Sequence, residues 1–119
     1  MPDRPWWDSL MASIDGKDLD AFLGFLTEDA EFRFANAPPA IGREAVGAFV
    51  GGFFGAVAGI SHRLIHTWED ETTAACEGEV TYTRHDGTRL TLPFANVFYL
   101  RDGKVSRYLV HIDASALFA

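Results

Sequence analysis

Two Asp-Gly pairs, Asp86-Gly87 and Asp102-Gly103, constrain the fold of this chain most strongly. Each pair stands between two long runs in which apolar and polar residues alternate. An Asp-Gly pair tolerates the positive φ angles of a tight β-hairpin, and a period of two is typical of strands with one buried face. The chain after Gly59 is therefore predicted to form a meander of long antiparallel strands.

The first half of the chain predicts helices instead. Apolar residues recur at helical spacing from Pro5 to Gly16, and Asp18 is placed to cap a second, shorter helix. A short strand is predicted over Glu31–Ala35, and a third helix over residues 43–58, whose valines and phenylalanines form one wide apolar face. Helices followed by strands predict an α+β domain with the helices on one face of the sheet.

Four glycines, Gly47, Gly51, Gly55 and Gly59, recur at every fourth position of the third helical segment. Glycine lowers helix stability by about 0.5–1 kcal/mol relative to alanine, so the stripe calls for a compensating contact. Close packing of another element of the same chain is the simpler interpretation, and a contact between subunits is the alternative.

Length and charge limit the domain organisation and the partners. A chain of 119 residues is the usual size of one domain, here residues 1–119. The net charge is −7 and the ten basic residues are scattered, which argues against nucleic acid and against an anionic membrane surface. Ala45–Ile60, the longest apolar-looking stretch, contains five glycines and is shorter than the ~20 residues that span a bilayer. Small molecules and other proteins remain as partners.

The cysteine count and the N-terminus predict a cytoplasmic protein. Cys76 is the single cysteine, so an internal disulfide cannot form, whereas small secreted domains usually contain several bridges. Residues 1–7 lack a basic start followed by an apolar run, so no signal peptide is predicted.

The strand after Asp86-Gly87 carries the clearest inward face. A two-residue turn at this pair would make Thr83, Thr81, Glu79 and Glu77 the cross-strand partners of that face, so that they too would point inward. Pro93 interrupts the pattern and predicts an edge strand or a bulge. The inward residues, all apolar but one, are Leu90, Leu92, Phe94, Asn96, Phe98 and Leu100.

Four segments together resemble the SnoaL-like branch of the nuclear-transport-factor-two-like superfamily. They are the helix junction at residues 16–20, the segment at residues 27–32, the helix start at residues 42–45 and the closing hairpin at residues 98–105. Relatives in that superfamily include ketosteroid isomerase, limonene epoxide hydrolase and SnoaL-type polyketide cyclases. The resemblance implies a cone-shaped half-barrel, in which a strongly curved antiparallel sheet packs on three N-terminal helices. It also implies a pocket for a hydrophobic ligand, a homodimer, and no metal or organic cofactor.

The same resemblance allows a comparison of catalytic positions with two relatives. An ungapped placement on ketosteroid isomerase puts Leu10 at the tyrosine donor, Phe34 at the carboxylate base and Asn96 at the protonated acid. Two of these three roles are vacant, which argues against steroid-type isomerisation. At the positions that carry an Asp–Arg–Asp arrangement in limonene epoxide hydrolase, this chain has Phe94, Asn96 and Asp113, with one charge at most.

Asn96 and Asp113 are the first two candidate catalytic residues. Asn96 is a polar residue on an apolar face, and it either binds and polarises a ligand carbonyl or hydrogen-bonds to a strand neighbour. Asp113 matches the acid/base position of the cyclases. Strict alternation with Val110 and Ile112 would turn its carboxylate outward, where it would tie down the C-terminal tail.

His66 is the third candidate, and with Trp68 it is predicted to face the pocket, where a histidine can move protons near neutral pH. A structural, hydrogen-bonded histidine is the alternative. His62 and His66 are ~13 Å apart along a strand, which argues against a shared metal ion. Aromatic side chains predicted to contact a ligand, or else to pack in the core, are Trp6, Phe34, Trp68, Phe94, Phe98 and Tyr108.

These residues favour an enzyme that carries out cyclisation, isomerisation or epoxide opening on a small hydrophobic substrate by general acid/base chemistry. A non-catalytic protein that binds a hydrophobic ligand is the first alternative, and a dimerisation module with an incidental pocket is the second. The vacant catalytic positions favour the alternatives, whereas polar residues among many aromatic ones favour a ligand site.

Overall fold

The computed structural model describes residues 5–118, which form three helices and six strands. The helices are α1 (Pro5–Asp15), α2 (Leu19–Gly24) and α3 (Arg43–Ala56). The strands are β1 (Leu26–Phe34), β2 (Ala40–Ile41), β3 (Gly59–Glu69), β4 (Thr73–Thr83), β5 (Arg89–Arg101) and β6 (Lys104–Ile112).

The strands form one curved, open sheet in the order β2-β1-β6-β5-β4-β3. The predicted α+β architecture, with helices on one side of a curved sheet, is confirmed. One strand pair differs from the expected antiparallel pattern, because β1 lies parallel to β6, with Phe32 opposite Tyr108. The chain reaches β6 only after the β3–β4–β5 meander, so this strand arrives beside β1 in the same direction.

The hairpin between β4 and β5 has a three-residue loop, one residue longer than predicted. The backbone N–H of Arg84 donates to the carbonyl of Thr88 at 2.8 Å, and Gly87 in the loop adopts a φ of +88°. Because side chains alternate with a period of two, this one-residue difference reverses the face of β4. The prediction that Thr83, Thr81, Glu79 and Glu77 face inward is therefore wrong. The inward residues of β4 are Ala74, Cys76, Gly78, Val80 and Tyr82.

Pro93 lies in a central strand without a bulge in its pairing to β4, where it stands opposite Glu79. On the other side, pairing between β5 and β6 ends at Phe94 and Ile112. Pro93 thus lies just beyond the last residue pair with β6, and the missing N–H of proline is tolerated where a neighbouring strand has ended.

The glycine stripe of α3 packs in part against α2. A Cβ atom on Gly47 or Gly51 would stand 3.3 Å from a side-chain methyl of Leu23 or Leu19, respectively. A Cβ on Gly55 would have no neighbour within 4 Å in the part of the chain that the structure describes. The close-packing interpretation therefore holds for the first two glycines, where a bare backbone lets the two helices approach each other.

The helices cover the concave face of the sheet, and the core lies between them. The largest fully buried side chains come from α1, α2, β5 and β6: Trp7, Phe22, Phe98 and Tyr108. Within residues 5–118, no helix is both long and apolar enough to cross a membrane.

Candidate functional site

A cavity lies between the concave face of the sheet and α3. The space open to the centre of a water-sized sphere is about 60 Å³, and one water needs roughly 10–15 Å³ by this measure. The cavity therefore has room for several waters or a small ligand. Phe49, which is 37% exposed, marks the edge where the cavity approaches solvent. The other lining aromatic side chains include Phe22, Phe32, Phe34, Phe53, Phe54 and Phe94.

A histidine–carboxylate pair stands at one wall of this cavity. His62, on β3, lines the cavity, and its Nδ1 lies 2.6 Å from Oδ1 of Asp15 at the end of α1. The other carboxylate oxygen of Asp15 accepts the backbone N–H of His62 at 3.0 Å. The side chain of His62 is only 10% exposed and that of Asp15 is 29% exposed. Two hydrogen bonds to one carboxylate thus fix both the backbone and the ring of His62.

This geometry determines which nitrogen of His62 is available for chemistry. A carboxylate oxygen accepts hydrogen bonds, so Nδ1 carries the proton that points to Asp15. In the neutral ring Nε2 is then left with its lone pair. Phe94 stands edge-on to the imidazole, with ring centroids 5.3 Å apart. The arrangement is that of a general base whose tautomer and orientation are held by a carboxylate.

Asn96 brings a second polar group to the cavity wall. Its side chain is buried, with 2% of its surface exposed, on the inward face of β5. Among the described residues, Oδ1 of Asn96 is the one buried side-chain nitrogen or oxygen without a hydrogen-bond partner. A strand neighbour therefore does not satisfy this oxygen, which counts against the purely structural interpretation of Asn96.

Tyr82 and Tyr108 also line the cavity, and both keep their hydroxyl protons at neutral pH. Burial raises the pKa of Tyr82 well above its usual value, and the negative charge of Asp15 raises it further. Burial likewise raises the pKa of Tyr108, and Cys76, Tyr82 and Asp15 add to the effect. Both phenols are thus available as O–H donors, close to the carboxylate that orients His62.

The structure brings four of the predicted site residues to this cavity: Asn96, Phe34, Phe94 and Tyr108. Two others, Trp6 and Phe98, do not line the cavity, although Phe98 packs directly against Tyr108 with ring centroids 4.4 Å apart. Phe98 is fully buried and stacks on Trp7 with ring centroids 5.2 Å apart, and Trp6 packs beside both. The indole N–H groups of Trp6 and Trp7 both donate to Glu69. Core packing therefore accounts for Phe98, as the alternative interpretation proposed.

His66 and Trp68 do not face the cavity, contrary to the sequence-based expectation. A bulge between Leu64 and His66 shifts the register of β3 against β4 by one residue. Beyond the bulge, His66 and Trp68 lie on the outer face of the sheet, where Trp68 is 52% exposed. The strict alternation used in the prediction failed because a bulge inserts an unpaired residue and reverses the faces beyond it.

Asp113 also lies outside the cavity. Its side chain is exposed, just after the end of β6, and its carboxylate accepts the backbone N–H of Ser115 at 3.1 Å. Hydrogen bonds from the side chain and the backbone of Ser115 lower the pKa of Asp113. A carboxylate with a lowered pKa in water is a weak base, so the C-terminal tie is the interpretation that the geometry supports.

Sequence reasoning gave no catalytic role to Asp15 or His62 and did not place Tyr82 on the inward face. One local feature pointed to Asp15. An acidic residue in the last turn of a helix interacts unfavourably with the helix dipole, so its placement there suggests a role other than helix stability. No such signal marked His62, since the contact joins residues 47 positions apart. Within the described part of the chain, no three His, Cys, Asp or Glu side chains cluster as a metal site would require.

Comparisons with known proteins agree on the fold. The model of the SnoaL-like domain family matches residues 7–108. A protein described as a polyketide cyclase from Xanthomonas campestris pv. campestris superposes with a TM-score of 0.84 at 22% identity, over 93% of this chain and 90% of that one. An LEH-like epoxide hydrolase from M. tuberculosis superposes with a TM-score of 0.78 at 15% identity, over 94% and 83%.

A cystatin-fold protein from Novosphingobium aromaticivorans is similar as well, with a TM-score of 0.77 at 18% identity over 92% of this chain and 97% of that one. No curated protein sequence matches the chain. Structural similarity at these levels of identity establishes the fold, whereas the chemistry has to be argued from the residues of this cavity.

Proposed function

This chain belongs to the SnoaL-like domain family, and we propose that its cavity binds a small hydrophobic molecule on which His62 catalyses a proton transfer. The observation that carries the proposal is the 2.6 Å contact between His62 and Asp15 at the wall of an aromatic cavity. A purely structural histidine in the core needs one hydrogen-bond partner, and Asp15 meets that need. This partner is a carboxylate, which also holds a general base in one tautomer, and the ring of His62 lines the cavity where a ligand would lie.

The proposed step is enolisation of a carbonyl compound. Nε2 of His62 takes a proton from the carbon beside the carbonyl. The electron pair of that C–H bond forms a C=C bond, while the π pair of the carbonyl moves onto its oxygen. Tyr82 and Tyr108 supply O–H donors for the negative charge that develops there. The imidazolium, stabilised by Asp15, then returns the proton to the same or another carbon, which regenerates the base. No metal or organic cofactor takes part in this step.

Isomerisation and cyclisation both follow from the same intermediate. Return of the proton at a different carbon gives an isomer. Alternatively, attack of the enolate carbon on a second carbonyl of the same molecule closes a ring, and the alkoxide formed there takes the proton from the imidazolium. Polyketide cyclase is the description of one structural neighbour. We place carbon-acid chemistry ahead of epoxide opening, because the cavity combines one oriented base with two phenolic donors.

Deuterium exchange tests this proposal without knowledge of the natural substrate. 1-Indanone, a small aromatic ketone, is incubated with the protein in deuterated buffer, and loss of its α-proton signal is followed by NMR. The wild type should accelerate exchange, and His62→Gln should lower the protein-catalysed rate by ~10²-fold or more, as expected for loss of a general base. Asp15→Asn should lower it as well, because the amide can donate to Nδ1 and favour the other tautomer.

Non-catalytic binding is the second candidate, and the mainly apolar lining of the cavity favours it. The same samples separate the two functions. A protein that binds 1-indanone but leaves its α-protons at the uncatalysed rate in both wild type and His62→Gln would be a binding protein, and the catalytic proposal would be abandoned.

We further propose that the protein acts as a homodimer through the outer face of its sheet. Two large apolar side chains are exposed there, Trp68 at 52% and Tyr99 at 39%. Between them lie the half-buried side chains of Ala75 and Val97, which pair across β4 and β5. A contiguous apolar surface of this kind is typical of a contact with another protein chain.

A further inference from the structure

The side-chain oxygen of Asn96 indicates which chemical group the ligand presents to the cavity wall, which the position of His62 does not. Oδ1 of Asn96 is buried, accepts no hydrogen bond from any described residue, and belongs to a side chain that lines the cavity. Its cross-strand neighbours are Cys76 on β4 and Val110 on β6. An amide oxygen in such apolar surroundings is a strong acceptor that needs a donor from the cavity side.

We infer that the ligand carries a hydroxyl group whose proton is donated to Oδ1 of Asn96. A carbonyl group, the partner expected from the sequence, cannot fill this role because an amide oxygen and a carbonyl oxygen are both acceptors. A wholly apolar ligand would displace water from Asn96 and leave the oxygen unpaired, which weakens binding. The substrate class is therefore a small hydroxylated ring compound, such as a phenol or an enol.

The remaining polar groups of the cavity fit a ligand that has both kinds of oxygen. Tyr82 and Tyr108 keep their protons and can donate to a carbonyl oxygen, whereas Asn96 can accept from a hydroxyl. The aromatic side chains around them offer flat surfaces for a ring. This inference rests on the proposed function for the location of the ligand, and it adds the chemical group that the ligand presents to β5.

Three monocyclic probes of similar size test the inference: phenol, toluene and benzaldehyde. Phenol has a proton to donate, toluene replaces that hydroxyl with a methyl group, and benzaldehyde has an acceptor only. Dissociation constants are measured by NMR titration on the wild type, on Asn96→Leu and on Ile112→Val, a conservative change at another lining residue. In the wild type, phenol should bind at least as tightly as toluene, although toluene is the more hydrophobic of the two.

In Asn96→Leu the ratio of the toluene Kd to the phenol Kd should fall at least about tenfold, which corresponds to ~1.4 kcal/mol. Ile112→Val should leave that ratio unchanged. Tighter binding of toluene than phenol to the wild type would overturn the inference, and this comparison does not depend on whether Asn96→Leu folds. A loss in Asn96→Leu confined to benzaldehyde would also overturn it, in favour of carbonyl recognition.

The outcomes also separate this inference from the proposed function. If all three probes bind and Asn96→Leu leaves every ratio unchanged, the hydroxyl preference is wrong, while the proton-transfer role of His62 is unaffected. If none of the probes binds at millimolar concentration and 1-indanone exchange is uncatalysed, the cavity is not a ligand site and both proposals fail.

Discussion

The carbonyl oxygen of Arg63 occupies the position that a Cβ atom on Gly78 would need. Gly78 lies on the inward face of β4, opposite Leu64, at the point where the β3 bulge begins. The missing side chain lets the bulged backbone of β3 approach β4 closely. This contact determines the sides to which His62 and His66 point, because the bulge lies between them.

Gly78→Ala should destabilise the protein by about 2–3 kcal/mol, since the new methyl group meets a backbone carbonyl that has little room to move. Urea unfolding followed by tryptophan fluorescence would measure the change. Gly52→Ala is the matched control, because a Cβ at this exposed helical position would meet none of the described residues within 4 Å. The control should gain about 0.5–1 kcal/mol. Equal midpoints for Gly78→Ala and wild type would contradict the steric account of the bulge.

Asp113→Asn and His66→Gln should leave catalysed deuterium exchange of 1-indanone within about twofold of the wild-type rate, in contrast to the loss expected for His62→Gln. The reason is that the carboxylate of Asp113 and the ring of His66 are both exposed outside the cavity. A hundredfold lower exchange rate in either variant, with native thermal stability, would show that this residue takes part in catalysis.

Stability should depend on pH through Asp70, in the loop between β3 and β4. Its carboxylate accepts the backbone N–H groups of Thr72 and Thr73 and the hydroxyl of Thr73, which lowers its pKa from the ordinary 3.8. The unfolded chain therefore binds the proton at a higher pH than the folded chain. The stabilisation is complete above pH 3.8, the ordinary pKa, and is lost as the pH falls through the lower pKa that Asp70 has in the folded protein.

Asp70→Ala should accordingly lower the unfolding midpoint in urea at pH 7, and its difference from the wild type should shrink at pH 3 and below. Glu71→Ala, an exposed acidic position in the same loop, is the control and should follow the wild type at both pH values. A gap between Asp70→Ala and wild type that stays constant from pH 7 to pH 2 would show that the carboxylate charge is not the cause.

Trp68→Glu should shift the protein from dimer to monomer in sedimentation velocity at micromolar concentration, with the dimer Kd raised at least about tenfold. A charge placed in the apolar outer face would lose its water on association without gaining a partner. Trp68→Phe keeps the apolar surface and should remain dimeric. A wild type that already sediments as a monomer at these concentrations would refute the dimer.

Local patterns were enough for the elements that depend on near neighbours. The start of α2 at Asp18, the apolar faces of α1 and α3 and the positions of the two Asp-Gly hairpins could all be predicted from spacing and turn chemistry. Four segments were enough for the resemblance to the SnoaL-like branch, which the family match confirms. The apolar face of β5 was also identified, and with it the position of Asn96 in the cavity wall.

The identity of the base depended on features that leave no local pattern. One extra residue in the loop before Thr88 reversed β4 and brought Tyr82 inward, and one extra residue in β3 turned His66 outward while His62 stayed inside. Strand faces are decided by odd or even position, so single-residue shifts reverse them without changing composition or period.

The amino-acid sequence by itself determined that helices precede a curved sheet and that β5 presents one buried amide among apolar side chains. The tertiary structure alone decided that Asp15, at the end of α1, meets His62 on β3 and that Oδ1 of Asn96 has no hydrogen-bond partner among residues 5–118. The physical reason is distance along the chain. Helix and turn preferences act over a few residues, whereas the contact that orients His62 spans 47 residues and forms only when helix and sheet pack together.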